Sequence, residues 1–396
     1  MRRRSVGASF SGTNLERAGD HNQRVTLQAI RARGPVTRID LAEVTGLTPP
    51  AVANITKRLM DLGLVSEAGR LYGGRGQPAM TLVANPEGCF AIGVHIDRDH
   101  ITATLVDFAG EVRARASQEI AFPLPEDVSR FWAGDGGRGL LAALPYPDRL
   151  LGVGVALPDD FGKVALPNRP ASFEAWNTLE PASLFALPGG PPVFVENDAA
   201  AAALAELQFG HGLRKPSFFY ILIAAGLGGG MVIEGEHFRG DDGRSGELGF
   251  LPMRNAPAGA SVQSVVSMSA LFARLEAGGF SVVDPGALLD LPAQGQALIG
   301  AWIESAADAL IDPMVNISCL INPEAVYLGG RLPAEIVDRL AAALNSRLDA
   351  LTGIPAMAKA RRAATSADGP AIGAAILPII DQLLPSRATL RKVATP

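Results

Sequence analysis

Residues 221–236, ILIAAGLGGGMVIEGE, decide the fold of the larger part of this chain. Two apolar runs enclose a turn with four glycines within five residues, which predicts two paired strands. Proteins often hold a phosphate at such a turn, because glycine lets backbone N–H groups approach an anion closely. Glycines also permit tight packing between strands. The surrounding sequence has to distinguish these two roles.

Length and composition are those of a multidomain globular protein. At 396 residues the chain exceeds what one hydrophobic core usually serves, so two or three domains are expected. The longest apolar run, FFYILIAA from Phe218, has the length of a buried strand, and the N-terminal arginines lack the apolar segment of a signal peptide. Cys89 and Cys319 lie far apart and form neither a disulfide framework nor a thiolate zinc site. These features predict a cytoplasmic protein.

Charge divides the chain into a basic head and an acidic body. Residues 1–85 hold 12 lysines and arginines against 6 acidic residues, whereas the whole chain has a net charge of −5. A basic head on an acidic body indicates a module that binds a polyanion, although a solvated basic face has the same charge. Residues 1–20 are predicted to be a flexible basic tail.

A winged helix-turn-helix is predicted within residues 21–85. NQRVTLQAIRARG (residues 22–34) has helical spacing and ends at a glycine and a proline. Leu41 and Ala42 then precede Gly46, which supplies the left-handed turn between two helices. The second helix is expected to begin at Thr48 and Pro49. Its inner face is predicted to contain Val52, Ile55, Leu59 and Leu62.

The outer face of that second helix is predicted to bind DNA. The amide of Asn54 can read a base edge in the major groove, while Lys57 and Arg58 meet phosphates. The tip GGRGQP (residues 73–78) between two apolar runs predicts a wing whose Arg75 enters a narrow minor groove, the alternative being a solvated hairpin tip. The candidate DNA-binding residues are Thr48, Pro50, Ala51, Asn54, Lys57, Arg58 and Arg75.

Strands alternate with helices in the rest of the chain, which predicts an α/β body. Three strands are expected between Phe90 and Ile120, with a turn near residues 107–110. LLGVGVALPDDF (residues 150–161) contains another buried strand. PPVFVENDAAAAALAELQFG (residues 191–210) predicts a strand followed by an alanine-rich helix.

Four motifs resemble, in order, those of the ROK (repressor, ORF, kinase) family: VENDAAAAALAE (195–206), GLGGG (226–230), SGELG (245–249) and INPEAVYLGG (321–330). With the head, they resemble its winged-helix repressors of the xylose and N-acetylglucosamine type. The resemblance implies an actin/hexokinase-like body of two lobes with a sugar cleft between them. Lobe 1 is expected at residues 86–200, completed by a C-terminal helix at about 371–385, and lobe 2, with an oligomerisation surface, at 201–370.

Both phosphate-binding places of the family's kinases are altered in this chain. Their first hairpin carries Asp-x-Gly-Gly-Thr, and the matching positions are His95, Asp97, Arg98 and Asp99. The glycines are therefore lost, and two acids stand where a phosphate would approach. In the glycine-rich stretch, Ala-Ala-Gly at residues 224–226 replaces Gly-Thr-Gly. No nucleotide cofactor and no kinase activity are expected.

The cleft keeps polar groups that suit a sugar. By resemblance, Asp198 matches the catalytic base of the kinases and Asn197 its sugar-binding neighbour, although Asn-Asp before a helix is also a capping pair. Glu247 and Gln263 match two further sugar-binding positions, and Asn168 matches an asparagine that borders the cleft. Without ATP, a carboxylate still binds sugar hydroxyls, because charge-assisted hydrogen bonds are strong.

The family's zinc site is not expected, and no other metal site is predicted. Phe250 stands in place of the zinc-binding histidine, and NAPAGASVQSVVSMSAL (residues 255–271) contains none of the cysteines. Phe250 either stacks on an apolar sugar face or fills the space left by zinc. Filling is favoured, because buried aromatic residues usually belong to the core.

The sequence therefore predicts a homodimeric or homotetrameric transcriptional regulator, expected to repress genes of carbohydrate metabolism. Its predicted partners are double-stranded operator DNA and a sugar or sugar derivative bound between the lobes. Two alternatives remain open. One is a sugar kinase with a DNA-binding head, and the other is a DNA-binding regulator whose body no longer binds a ligand.

Overall fold

The computed structural model describes residues 15–71, 79–159, 161–162, 169–187, 190–253, 259–354, 356–365 and 367–386. The predicted site residues Arg75 and Asn168 lie outside these ranges. The chain forms two units. The head unit contains the chain up to Cys89 together with the C-terminal segment from Ile379, and the body unit spans Phe90–Pro378.

The head unit is a winged helix, as predicted. It contains α1 (Leu15–Arg33), β1 (Val36–Thr37), α2 (Arg38–Thr45), α3 (Pro49–Asp61), β2 (Val65–Leu71) and β3 (Ala79–Ala84). The strands form an antiparallel sheet in the order β1-β3-β2. Gly46 has a φ of 68°, the left-handed conformation predicted for the turn between α2 and α3. Helix α1 begins at Leu15, whereas the sequence predicted a flexible tail up to residue 20, where few apolar residues mark a helix.

The inner face of α3 differs from the prediction at its C-terminal end. Val52, Thr56 and Leu59 are buried, whereas Leu62 follows the helix with 53% of its surface exposed. The Thr56 hydroxyl donates to Val52 O at 2.8 Å and accepts from Arg38 Nε at 2.9 Å. Because these bonds satisfy the buried hydroxyl, threonine is tolerated at a position that apolar periodicity did not indicate.

The body unit consists of two α/β lobes. Lobe 1 contains β4 (Phe90–Ile96), β5 (His100–Asp107), β6 (Val112–Glu119), α4 (Pro125–Ala133), α5 (Leu140–Ala142), β7 (Leu150–Leu157), β8 (Val193–Asn197) and α6 (Asp198–Phe209). Lobe 2 contains β9 (Phe218–Ile223), β10 (Leu227–Ile233), β11 (Glu236–His237), α7 (Met268–Ala277), α8 (Ala293–Leu320), β12 (Ala325–Gly330), α9 (Ala334–Asp349) and β13 (Lys359–Arg362). The predicted fold class is confirmed.

The two sheets of the body share one topology, which positions the cleft. Their strand orders are β6-β5-β4-β7-β8 and β11-β10-β9-β12-β13. In each sheet the first three strands pair antiparallel and the last three pair parallel. Ligand-binding groups of such sheets gather beyond the carboxyl ends of the parallel strands. The segments that follow β4, β7 and β8 therefore share one edge of lobe 1.

Lobe 2 is built around a long buried helix. Helix α8 has 28 residues and packs Ile299, Trp302 and Leu310 into the core, each at most 1% exposed. Helices α7 and α9 and strands β9 and β12 contribute to the same apolar cluster. No helix in the described ranges is long and apolar enough to span a lipid bilayer.

The predicted C-terminal helix, α10 (Gly369–Leu383), begins on lobe 1. Its backbone lies so close to the sheet that a Cβ on Gly93 would be 1.8 Å from Ala371 O, and one on Gly154 would be 1.8 Å from Ala374 O. Only glycine fits at either strand position, since both obstacles are backbone atoms.

The last residues of α10 belong to the head unit rather than to lobe 1. The boundary falls directly after Pro378, which lies inside the helix and has no N–H to donate. Residues 379–386 pack within the head, where Arg24 of α1 donates to Asp381 O at 2.8 Å and to Leu384 O at 3.0 Å. The part of this helix that belongs to the body unit therefore ends at Pro378, before the predicted end at about residue 385.

Candidate functional site

Helix α3 presents most of the predicted DNA-binding residues at its surface. Thr48 is the N-cap and Pro49 the first helical residue, as predicted, but the Thr48 side chain makes no capping hydrogen bond. Its hydroxyl is therefore not used by the helix. The exposed residues of this group are Thr48, Pro50, Asn54, Lys57 and Arg58, and Ala51 is half-buried. An amide and two cations thus project from one exposed helix face.

Four of the five predicted sugar-binding residues line one small cavity in the body unit. This inner cavity has a volume of about 50 Å³, and its lining includes Asn197, Asp198, Glu247 and Gln263. A volume of this size holds a few water molecules, at about 10–15 Å³ each. The structure therefore brings together residues that are up to 66 positions apart in the sequence.

An outer cavity of about 400 Å³ adjoins the inner one. The two share Pro158, Asp159 and Asn197 in their linings. The outer cavity is also lined by Trp176 and Arg239, which sequence reasoning missed. The order of family motifs gives no signal for them, because they come from loops between the motifs.

Asn197 and Asp198 are fixed by the start of α6. Asn197 Oδ1 accepts from Ala200 N at 3.0 Å, so this residue is the helix N-cap. Asp198 Oδ1 accepts from Ala199 N at 2.8 Å, and the side chain is almost fully buried. The capping role and a ligand-binding role are compatible, since Asp198 Oδ2 is not needed for the cap.

Glu247 lies at the opposite wall of the inner cavity. Burial raises the pKa of its carboxyl, and the negative charge of Asp159 adds to this effect, while Arg244 opposes it. Arg244 Nη2 lies 3.5 Å from Glu247 Oε1. The carboxyl of Glu247 therefore keeps its proton to a higher pH than an exposed glutamate does.

Phe250 is not the buried space filler that the sequence favoured. It lines the inner cavity with 50% of its surface exposed. The short helix that follows Glu247 turns the ring outward, a direction that the identity of the residue alone does not reveal.

A hydrogen bond connects the β4–β5 hairpin to the β9–β10 hairpin, the two places that match the phosphate-binding hairpins of the family's kinases. Asp97, in the turn after β4, is only 1% exposed, and its carboxylate accepts from Arg98 N at 2.7 Å and from Ala225 N at 3.3 Å. The Arg98 guanidinium lies against Gly226, where a Cβ would be 2.7 Å from Nη1. The protein's own carboxylate thus occupies a backbone donor of the glycine-rich turn.

Gly228, Gly229 and Gly230 lie in strand β10 rather than in the turn that the sequence predicted, and they serve close packing. A Cβ on Gly228 would lie 2.8 Å from Ala199 Cβ, and one on Gly230 would lie 2.7 Å from Ala199 O. On the other side of the strand, a Cβ on Gly229 would lie 2.4 Å from Gly246 O. Strand β10 is therefore held between α6 and the segment that carries Glu247.

A buried pair of histidines lies beneath the cleft. His100 Nδ1 is 2.6 Å from Asp99 Oδ1, and His100 Nε2 is 3.1 Å from His95 Nδ1. His95 Nε2 in turn lies 3.9 Å from Asp198 Oδ2. Burial keeps the pKa of His100 below its ordinary value. Sequence reasoning noted His95 only as a lost aspartate and missed His100, because the pairing of β4 with β5 is needed to bring the two rings together.

Comparison with known proteins gives two matching families. Residues 91–379 match the ROK family, and residues 20–66 match a winged helix-turn-helix DNA-binding family. The Sinorhizobium fredii protein y4fQ is 30% identical over 81% of this chain and 80% of its own length. The Bacillus subtilis xylose repressor is 28% identical over 58% of this chain, and the Escherichia coli DNA-binding transcriptional dual regulator NagC is 29% identical over 60%. The matches span 60% and 59% of those two proteins, less than two thirds of either.

Solved structures show the same fold. A ROK family transcriptional regulator, described as a homolog of the E. coli MLC protein, has a TM-score of 0.65 at 24% identity and covers 93% of this chain and 98% of its own. A ROK hexokinase from Thermus thermophilus has a TM-score of 0.51 at 24% identity, over 74% of this chain and 98% of its own. At this identity both likenesses concern the fold alone.

Proposed function

Because the chain belongs to the ROK family and carries a winged helix-turn-helix ahead of the ROK body, we propose that it is a cytoplasmic transcriptional regulator of carbohydrate metabolism. Family membership confirms the resemblance found in the sequence. Repression is the expected direction, since similar proteins include xylose and N-acetylglucosamine repressors. We infer a homodimer or homotetramer, because two winged helices are needed to read both halves of a pseudo-palindromic operator.

The observation that carries this proposal is the outer face of α3. Asn54, Lys57 and Arg58 are all exposed on one helix whose opposite side is buried in the head unit. A helix of this kind fits the major groove, where an amide pairs with a base edge and cations neutralise phosphates. Arg75 remains a proposed minor-groove contact from the wing.

The inner cavity supports control by a sugar or a sugar derivative. Asp198 and Glu247 offer carboxylate oxygens, and Asn197 and Gln263 offer amide groups, around one space. Sugar hydroxyls both donate and accept, so this mixture suits them. Phe250 lines the same cavity and is half exposed, and we propose that it stacks on an apolar sugar face. Asn168 remains a proposed contact at the border of the cleft.

The hydrogen bond between Asp97 and Ala225, which connects the two hairpins, supports the loss of kinase activity. A nucleotide phosphate requires free backbone N–H groups and a surrounding that favours negative charge. Here Asp97 already accepts from Ala225 N, and a phosphate would have to displace a buried carboxylate. We therefore infer that Asp198 is a ligand-binding residue and that ATP is not a cofactor.

Helix α10 is the segment that we propose to couple the ligand to DNA binding. Its N-terminal part contacts the backbone of β4 and β7, and its C-terminal part is held by Arg24 within the head. A ligand that prefers one arrangement of the lobes shifts their equilibrium, whereas a ligand with equal affinity for both has no effect.

The DNA-binding part of the proposal is tested with operator fragments selected in vitro from random DNA. Lys57→Ala is expected to weaken binding to all sequences and to reduce the slope of log affinity against log salt by about 1. Asn54→Ala is expected to relax the preference at one base position. Lys359→Ala, in the body unit, is the matched control and should bind like the wild type. Undiminished binding by Lys57→Ala would show that the assigned helix face is wrong.

The ligand part is tested separately, on the same full chain. Thermal shift against a panel of sugars and sugar derivatives should reveal a compound that raises the melting temperature of the wild type but not of Asp198→Asn. If no compound does so, a body without a ligand becomes the better description. A coupled assay with ATP and Mg²⁺ across the same panel is expected to show no turnover, and appreciable turnover would favour the kinase alternative.

A further inference from the structure

In the buried pair of histidines, one ring nitrogen is an acceptor that receives no hydrogen bond. The Asp99 carboxylate only accepts, so the hydrogen between it and His100 belongs to His100 Nδ1. In a neutral imidazole the other nitrogen is then an acceptor, and His100 Nε2 accepts from His95 Nδ1. This order of hydrogens leaves a lone pair on His95 Nε2, which is buried and has no hydrogen-bond partner.

That lone pair faces two carboxylates. His95 Nε2 lies 3.9 Å from Asp198 Oδ2, and one ligand atom each of His95, Asp97 and Asp198 lie within 4.8 Å of one another. The three side chains are 3%, 1% and 6% exposed. Burying three acceptors around one point is costly unless a cation lies between them.

The backbone and the second histidine hold these groups in position. Ala199 N binds Asp198 Oδ1, which leaves Oδ2 directed toward His95. Ala225 N and Arg98 N fix the Asp97 carboxylate. His100 fixes the orientation of the His95 ring through Nδ1, as outer partners of metal-binding histidines commonly do.

We propose that His95, Asp97 and Asp198 bind a divalent first-row transition metal ion beneath the cleft. One imidazole and two carboxylates form a mixed nitrogen and oxygen set that suits Zn²⁺ or Mn²⁺, whereas Mg²⁺ and Ca²⁺ favour oxygen ligands alone. Ligand atoms of a tetrahedral Zn²⁺ lie about 3.4 Å apart when bonds are about 2.1 Å. Small side-chain movements therefore bring the group to binding distance.

This site is distinct from the zinc motif that the sequence lacks. It lies at the carboxyl ends of β4 and β8, and Asp198 is shared with the inner cavity. Three protein ligands leave coordination positions open on the ion. A hydroxyl of a molecule in the inner cavity would reach the ion beside Asp198.

The rival explanation is a proton in place of the metal, with His95 as an imidazolium between His100 and Asp198. The two are separated by calorimetric titration of the full chain, free of an affinity tag and dialysed against a chelator, with Zn²⁺ and separately with Mn²⁺. We expect saturable binding of one ion per chain. His95→Gln and Asp97→Asn should weaken it at least 10-fold, the size of effect typical even of outer-shell changes.

Two further variants sharpen the test. His100→Gln removes the support of the His95 ring and should weaken binding by about 10–100-fold without changing the stoichiometry. His237→Gln removes a histidine of the same unit that is not in the cluster, and it should bind like the wild type.

Three results would overturn the proposal. The first is a wild-type chain that binds neither ion saturably, and the second is His95→Gln binding as tightly as the wild type. The third comes from crystals soaked in Zn²⁺, if the anomalous difference map shows no peak between the three side chains. The last measurement uses the wild type and so decides the question even if the variants fail to fold. The DNA assay is independent of all three.

Discussion

Replacing Gly230 by alanine tests whether the glycines of strand β10 are required for close packing. The added Cβ would lie 2.6 Å from Ala203 Cβ and 2.7 Å from Ala199 O, whereas an ordinary contact begins near 3.4 Å. One obstacle is the backbone of α6, so the strand or the helix must move by about 0.7 Å, as in an overpacked core.

The expected cost follows from this geometry. Overpacking a core costs about 1–3 kcal/mol, and the upper end applies here because a backbone atom cannot rotate away. The free energy of unfolding should therefore fall by about 3 kcal/mol in urea denaturation. All three tryptophans, Trp132, Trp176 and Trp302, lie in the body unit, so their fluorescence follows that unit alone.

Gly300→Ala is the matched control for this experiment. Gly300 lies inside α8, and its nearest obstacle is the flexible end of Arg339 at 3.6 Å. Alanine favours a helix over glycine by about 1 kcal/mol, so this variant should be at least as stable as the wild type. If the free energy of unfolding of Gly230→Ala lies within about 0.5 kcal/mol of the wild-type value, packing against α6 does not explain the glycine.

Three other substitutions give independent checks. Glu206 is fully buried and accepts from His211 N and Nδ1 and from the backbone N–H groups of residues 364 and 365. Glu206→Gln should therefore lower the free energy of unfolding by about 3 kcal/mol in urea denaturation. An unchanged free energy of unfolding would contradict this account. Burial lowers the pKa of His237 from 6.5 to about 4, so the folded chain binds fewer protons between these values. The free energy of unfolding should therefore fall by up to about 3 kcal/mol as the pH drops through this window, and His237→Gln should flatten that dependence. Thr56→Val removes the acceptor of Arg38 Nε and should destabilise the head by about 1–2 kcal/mol. Thermal denaturation followed by circular dichroism measures this change. A more stable head would show that the hydrogen bond makes no net contribution to stability.

Local chemistry in the sequence was sufficient for the winged helix-turn-helix and the start of α6, whereas the two-lobed body was predicted from a resemblance to a family. Gly46 between two apolar patterns predicted the helix-turn-helix, because a left-handed turn is a property of a few adjacent residues. Asn197 predicted the start of α6 for the same reason, since an N-cap bonds within its own first turn.

The orientation of side chains within an element was less predictable. Leu62 is exposed and Thr56 is buried, since Arg38 from another helix pairs with the threonine hydroxyl. Phe250 is half exposed although aromatic residues usually pack inside. For Thr56 the outcome depends on Arg38, which is 18 residues away in the sequence.

The sequence by itself determined that this protein joins a winged helix-turn-helix to an α/β body. Only the tertiary structure decided that Asp97 accepts from Ala225, 128 residues away, and that His95 faces Asp198. The physical reason for the second contact is the parallel register of β4, β7 and β8, which places their carboxyl ends at one edge of the lobe 1 sheet. Turn and capping preferences act over a few residues, whereas a sheet brings distant strand ends to within hydrogen-bonding and metal-binding distance.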